Sequence, residues 1–441
     1  MSKGYLDLPG GERTVLRRAS VPAVLLGDLA ASLHPDRDGL ALVDLELAGG
    51  RVAGVAAAGP GPGVDLDRAQ VWPAFVDLHT HLDKGHILPR APNPDGTVYG
   101  AVRTVAADRE RRWSADDVRR RFEFGLRAAY AHGTCAIRTH LDCEPPQAAI
   151  TWPVFAELRA AWAGRVELQG VGKFPLELYL TPEGGRFAEQ VAAHGGVLGA
   201  VTVVPGVGWP AALPRVEAAL DALMALAARH ALEVDLHVDE SGDPAAATLA
   251  LVARATLRHR MQGRVVCGHC CSLAVQPPEV ASEVIDLCAA AGLAVVTLPM
   301  INQYLQARGA GATPRWRGVT LVHELARRGV PVAVASDNCR DPFFAYGDHD
   351  MFEVFSQSVR IAHLDLPYGP WPAAATAVPA RLMGLKGRGV IEAGSPADLV
   401  IFRARSMSEL LCRPQADRVV LRAGRPIDTT LPDHRELDLL F

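Results

Sequence analysis

VWPAFVDLHTHLDKGH, residues 71–86, is the stretch on which the fold reading turns. The apolar run Val71–Val76 leads directly into Asp77, His79, His81, Asp83, Lys84 and His86. A short continuous apolar run of this kind reads as a strand buried on both faces, the kind found in parallel sheets. Polar chemistry gathered just past such a strand suggests a mouth at the strand's C-terminal end.

Seven further runs extend the pattern. They are CAIRTHLD (135–142), RVELQGVGKF (165–174), VLGAVTVV (197–204), LEVDLHVD (232–239), RVVCGHC (264–270), LAVVTLPM (293–300) and VPVAVASD (330–337). Amphipathic segments separate them, among them DDVRRRFEFGLRAAYAHG (116–133) and ALPRVEAALDALMALAARHA (212–231). Eight strands in about 270 residues match the count and size of an α/β (β/α)8 TIM-like barrel. Outside this region the chain reads as β. VPAVLLG (21–27), LALVDLELAGG (40–50) and RVAGVAAAG (51–59) precede the turn-rich GPGPG at 59–63, and GVIEAGSPADLVIFRA (389–404) and DRVVLRAGRPI (417–427) follow the barrel. The expected organisation is a small β-sandwich domain built from both chain ends, residues 1–68 and 388–441, interrupted by a barrel over 69–387.

The bulk numbers exclude several classes. The 441 residues carry a net charge of −4 with both signs interspersed, which is neither a nucleic-acid footprint nor a polybasic membrane patch. No apolar run approaches the roughly 20 residues needed to span a bilayer. MSKGYLDLPGGERTVLRR lacks the uninterrupted apolar core of a signal peptide, and eight cysteines in so long a chain are not a disulfide framework. The expected setting is the cytoplasm.

The strand ends hold the candidate chemistry. Strand one ends in His79 and His81, strand five in His237 with Glu240 three residues on, strand six in His269, and strand eight in Asp337-Asn338. Alternate residues share a strand face, so the H-x-H pair aims both rings at one point. A third imidazole and a carboxylate would complete a site with nitrogen and oxygen ligands, suited to zinc or ferrous iron. Read singly, each element has a structural alternative: a core histidine for His269, a helix-capping carboxylate for Asp337 or Glu240.

The blocks FVDLHTHLDK, IRTHLD, VDLHVDE, RVVCGHCCSL and ASDNCRDPFFAYGDHDM resemble the amidohydrolase superfamily in its cytosine-deaminase-like branch. GVIEAGSPADLVIF resembles the segment by which such enzymes return to their small β domain. The resemblance implies one divalent metal ion per chain, Zn2+ or Fe2+, held by His79, His81, His237 and Asp337. It implies Glu240 as proton shuttle and His269 as the group that hydrogen-bonds the attacking hydroxide. It further implies that Asp337 accepts a proton from the metal-bound water, and that the chain is a homo-oligomer acting on a small heterocyclic substrate.

Departures from the family bear on the substrate. Leu176 stands where cytosine deaminases carry a glutamine, Phe343 where they carry a tryptophan, and Asn338 where they carry a second aspartate. The Asp-Asn pair resembles N-isopropylammelide aminohydrolases, which this chain resembles less at strand five. Strand four has no lysine to bridge two metals; Lys173 falls at the end of strand three and Lys84 in the first loop. Lys84, Asp83 and His86 are read either as substrate contacts or as exposed loop charges, and His140 either as pocket lining or as a satisfied buried histidine. Cys267-x-x-Cys270 is read as small buried thiols. The expected activity is release of ammonia or a small amine from a pyrimidine-, triazine- or purine-like ring. Hydrolysis of a cyclic amide on the same scaffold, and a degenerate non-catalytic barrel, are the alternatives.

Overall fold

In the computed structural model, Leu6, Leu8 and residues 13–309 and 311–441 are described. Most of the segment in which a signal peptide was sought lies outside them. Eight parallel strands follow one another around a barrel: β1 (Phe75–Thr80), β2 (Thr134–Asp142), β3 (Glu167–Pro175), β4 (Val197–Val201), β5 (Val234–Val238), β6 (Val265–His269), β7 (Ala294–Thr297) and β8 (Val332–Val334). All eight expected strands are present. The ring closes just past β8, where Asp337 forms a parallel bridge to Thr80.

That seam is hydrogen-bonded throughout. The Asp337 N–H donates to the His79 carbonyl (2.8 Å), the His81 N–H to the Asp337 carbonyl (3.2 Å), and the Thr80 hydroxyl to the same carbonyl (2.8 Å). Beneath it the buried Asp77 carboxylate accepts from the Ser336 hydroxyl (2.5 Å), the Ser336 N–H (3.2 Å) and the His79 N–H (3.4 Å).

The helices cover the outside of the ring by ordinary amphipathic logic. In Ala115–Ala131 the Ser114 side chain caps the N-terminus by accepting from the Asp117 N–H, and Asp116 and Asp117 sit in the first turn. Val118, Phe122, Leu126 and Ala129 recur at helical spacing and face the core.

Two strand assignments are corrected. Val71–Pro73, read as the start of strand one, belongs instead to Gln70–Pro73, which pairs antiparallel with Leu399–Phe402 in the second sheet. Pro73 has no N–H to donate, and the chain crosses from one sheet to the other at Ala74. This strand falls beyond the 68/69 boundary expected from sequence. Of VPAVLLG only Val21 and Pro22 are extended, as the end of the strand Arg13–Pro22; the rest enters two short 3₁₀ segments, Ala23–Leu25 and Gly27–Ser32. The alternation in that strand is masked by three basic residues and by a bulge between Leu16 and Ala19, where Arg18 has φ 52° and its N–H bonds Asp44.

The second sheet runs in the order Arg425–Pro426, Val419–Arg422, Leu399–Phe402, Gln70–Pro73, Arg13–Pro22, Leu40–Ala48 and Arg51–Ala57, with Val64–Asp65 against Arg13–Pro22. It unites both ends of the chain around its own apolar core, which includes Leu16, Val43, Leu45, Leu399 and Ile401. No described helix is long and apolar enough to cross a membrane.

Replacing Asp77 by alanine would leave two buried Ser336 donors without an acceptor. The expected cost is about 1–3 kcal/mol, seen as a lower urea midpoint at unchanged m-value. An unchanged midpoint would show that the seam closes without this carboxylate.

Candidate metal centre and active site

The pleat of β1 places His79 and His81 on one side, and both are buried. Three other strand ends bring partners to them. His81 Nε2 lies 3.1 Å and His79 Nε2 3.7 Å from Asp337 Oδ1. His237 Nε2 is 3.3 Å from His81 Nε2, and His269 Nε2 is 4.0 Å from Asp337 Oδ2. Gly268 on β6 makes room for the cluster, because a Cβ there would meet His79 Cε1 at 3.0 Å.

The electrostatics of this cluster suit a cation. Burial holds His79, His81 and His237 well below the usual imidazole range, so all three are neutral. Both ring nitrogens of His79, the Nδ1 atoms of His81 and His237, and both oxygens of Asp337 are buried with no hydrogen-bond partner. Buried polar atoms are almost always satisfied; one donor atom each of His79, His81 and Asp337 lies within 4.8 Å of the others, and the same holds for His79, His237 and His269. Their chemistry, imidazole nitrogen and carboxylate oxygen, is that of a zinc- or iron-class site. The residues present therefore fit a divalent ion.

Glu240 and His269 flank this centre. Glu240 Oε1 is 3.6 Å from His269 Nδ1, and burial raises the Glu240 carboxyl to about 7. The Asn302 side-chain amide, 2.9 Å from His269 Nδ1, fixes the ring. With the amide nitrogen donating, the His269 proton sits on Nε2, the atom facing Asp337. Asn302 went unnoticed in the sequence because it lies beyond β7 in a short helix, Pro299–Leu305, with no motif around it. The backbone is also unusual here: Asp239, His269, Cys270 and Asp337 all adopt positive φ (48°, 68°, 53° and 60°). Such conformations are costly for residues with side chains and collect at functional sites.

The other candidate residues divide. Lys84 is buried, its Nζ 4.4 Å above the Phe343 ring, and burial followed by Lys173 lowers its pKa. Asn338 donates to Asp341 Oδ2 (2.7 Å), and Asp341 also accepts from the N–H groups of Phe343 and Phe344, bracing the loop after β8. His140 stacks on His79, ring centroids 3.9 Å apart, with Nε2 3.6 Å from the buried Asp235. Asp235 is in turn bonded by Arg138 (3.1 Å). Leu176 lies in the main apolar core, at the start of the short 3₁₀ helix Leu176–Leu180.

His86, Asp83 and Lys84 are all buried, which excludes the exposed-loop reading. Lys173 lies on β3 and forms an ion pair with Asp142 of β2, so no lysine stands on β4. Cys267 and Cys270 are buried free thiols.

Comparisons with known proteins agree with this geometry. Residues 179–427 match the model of the amidohydrolase family. A pterin deaminase of Rhizobium rhizogenes (strain K84) is 50% identical over 448 residues, covering 100% of both chains. N-isopropylammelide isopropyl amidohydrolase of Pseudomonas sp. (strain ADP) is 24% identical over 82% of this chain and 87% of its own. The crystal structure of 5-methylcytosine deaminase from Klebsiella pneumoniae superposes with a TM-score of 0.81 at 23% identity, over 95% of this chain and 98% of that one. The chain belongs to the amidohydrolase family. Within it, the chain is a metal-dependent hydrolase of carbon–nitrogen bonds, of the type that deaminates heterocycles.

Gly268→Ala is expected to push the His79 ring out of place and weaken metal binding by about 10–100-fold, the range for groups that hold a ligand in position. Competition with a chromophoric chelator measures this. Unchanged affinity would mean that His79 keeps its place or is not a ligand.

Proposed function

We propose that the chain deaminates pterin-type rings, replacing an exocyclic amino group with a carbonyl and releasing ammonia. Identity of 50% to a pterin deaminase over the whole chain carries this reading. The apolar Leu176, where cytosine deaminases carry a glutamine, favours a ring other than cytosine, since a site built to hydrogen-bond a substrate edge discriminates strongly. His79, His81, His237 and Asp337 would hold a single zinc or ferrous ion in this pocket. When bound, the ion lowers the pKa of a coordinated water and so supplies the nucleophile.

The chain's own residues do the rest. Asp337 takes the proton released from the attacking water. Glu240, raised to about 7 by burial, is substantially protonated at neutral pH and donates to a ring nitrogen, which makes the amine-bearing carbon more electrophilic. As the carbonyl forms, Glu240 recovers a proton from the hydroxyl of the substrate adduct, and the proton held by Asp337 passes to the departing nitrogen, so that ammonia rather than amide anion leaves and both groups return to their starting states. His269, held by Asn302, orients the nucleophile through Nε2. Lys84, Phe343, Asn338 and His140 line the approach to the substrate, with Leu176 behind it. Water enters and ammonia leaves, and no redox partner is required.

The test is release of ammonia from pterin and cytosine, and of isopropylamine from N-isopropylammelide, by protein of known metal content. Pterin is expected to react fastest, and faster turnover of cytosine would overturn the substrate assignment. Glu240→Gln should keep its metal while turnover falls about 10²–10⁴-fold. For the unsubstituted enzyme, kcat/KM should decline above about pH 7 as the acid form of Glu240 is lost. Turnover insensitive to the substitution would remove Glu240 from the mechanism.

A further inference from the structure

The loop after β1 and the loop after β8 meet a second time, away from the histidine–aspartate centre. The His86 N–H donates to the Cys339 carbonyl (3.0 Å) and the Leu88 N–H to the Arg340 carbonyl (2.9 Å), so the two loops run in fixed register. This pairing brings the side chains of His86 and Cys339 together, and His349, two residues before the helix Met351–Ala362, joins them. One donor atom from each of the three lies within 4.8 Å of the others. The group shares no residue with the catalytic cluster.

All three side chains are almost fully buried, at 1%, 1% and 3% exposed for His86, Cys339 and His349. The two imidazoles have four ring nitrogens, and none of the four has a hydrogen-bond partner. A buried neutral imidazole carries one donor and one acceptor, and leaving both unsatisfied is costly. Two such rings side by side, 5.6 Å between centroids, with a thiol at the same point, double that cost. Ring packing does not relieve it: Phe124 and His434 meet His86 edge to face, at 4.8 and 6.2 Å, and offer its nitrogens no acceptor. Gly125 leaves space for His349, since a Cβ there would lie 2.9 Å from His349 Nε2.

We propose that His86, Cys339 and His349 form a second metal site, for a zinc-class ion bound by two imidazoles and a thiolate. Bonds of about 2.0–2.3 Å to such donors require only small side-chain rotations from the observed spacing. The thiol proton is released on binding, and a soft sulfur donor with two imidazoles selects zinc over magnesium or calcium. The ion would clip the two mouth loops together, and so brace Asn338, Phe343 and Lys84 from below.

The site has a signature that the catalytic centre cannot produce, because the catalytic donors include no sulfur. Full-length protein produced in cobalt-supplemented medium is expected to show thiolate-to-cobalt charge-transfer absorption in the near ultraviolet. Cys339→Ser should abolish that band and lower the metal content by one ion per chain, with His349→Gln giving the same loss. Absence of the band in the unsubstituted protein would overturn the proposal without depending on whether any variant folds. A band that survives Cys339→Ser would also overturn it, pointing instead to another thiol such as the exposed Cys412. Both readouts are independent of deaminase activity, so failure of the substrate assignment would leave this test intact.

Discussion

The closure of the barrel between β1 and Asp337 is the constraint on which the rest depends. His79 and His81 lie on one side of that seam and Asp337 on the other, and the backbone bonds that join the strands are made by these same residues. The register of closure is therefore also the geometry of the metal centre. A one-residue slip would turn the histidine pair away from the axis, because side chains alternate along a strand. Asp77 accounts for the precision of the register. It had no assignable role in the sequence, yet from below it binds both the N–H and the hydroxyl of Ser336, the residue preceding Asp337.

Much of this was legible in the sequence because the barrel strands are buried on both faces and bounded by turns. Apolar runs marked all eight, and the polar residues past them are the ones that the fold brings together. Legibility failed where local composition and tertiary role diverge. Arg13–Pro22 carries three basic residues on a strand with a bulge, so its alternation is hidden. Gln70–Pro73 and Phe75–Thr80 are one hydrophobic run in sequence but two strands in two sheets, and only the proline hints at the break. The positive φ values at Asp239, His269, Cys270 and Asp337 leave no mark in the sequence, since none of these residues is glycine.

Burial explains why the loop residues were harder to judge than the strand ends. Asp83, Lys84 and His86 read equally well as solvated charges, yet all three are enclosed. Asp83 is accommodated by pairing across loops. Asp83 accepts from the Asp142 N–H (2.7 Å), Asp142 pairs with Lys173 and with Arg109, and Arg121 donates to the carbonyls of Asp83 and Gly85. Burial, with Asp142 adding to it, raises the Asp83 carboxyl to about 7, whereas the lysines hold Asp142 well below the usual range despite its burial. Two neighbouring carboxyls are thus pushed apart in acidity by which of them meets the cations.

The catalytic cluster lacks such compensation. Burial, followed by Glu240, raises Asp337 well above the ordinary carboxylate range, and Lys84 is the first of the neighbours that opposes the shift. Three neutral imidazoles beside it supply lone pairs but no positive charge. A carboxylate kept in this setting without a cation is unfavourable, and a divalent ion bound by the His/Asp cluster would relieve it. The unfolded chain cannot assemble ligands separated by more than 250 residues, so the affinity of the centre is also stability of the folded barrel. The polar cluster that costs stability in the metal-free chain is, for the same electrostatic reason, what suits it to a divalent ion.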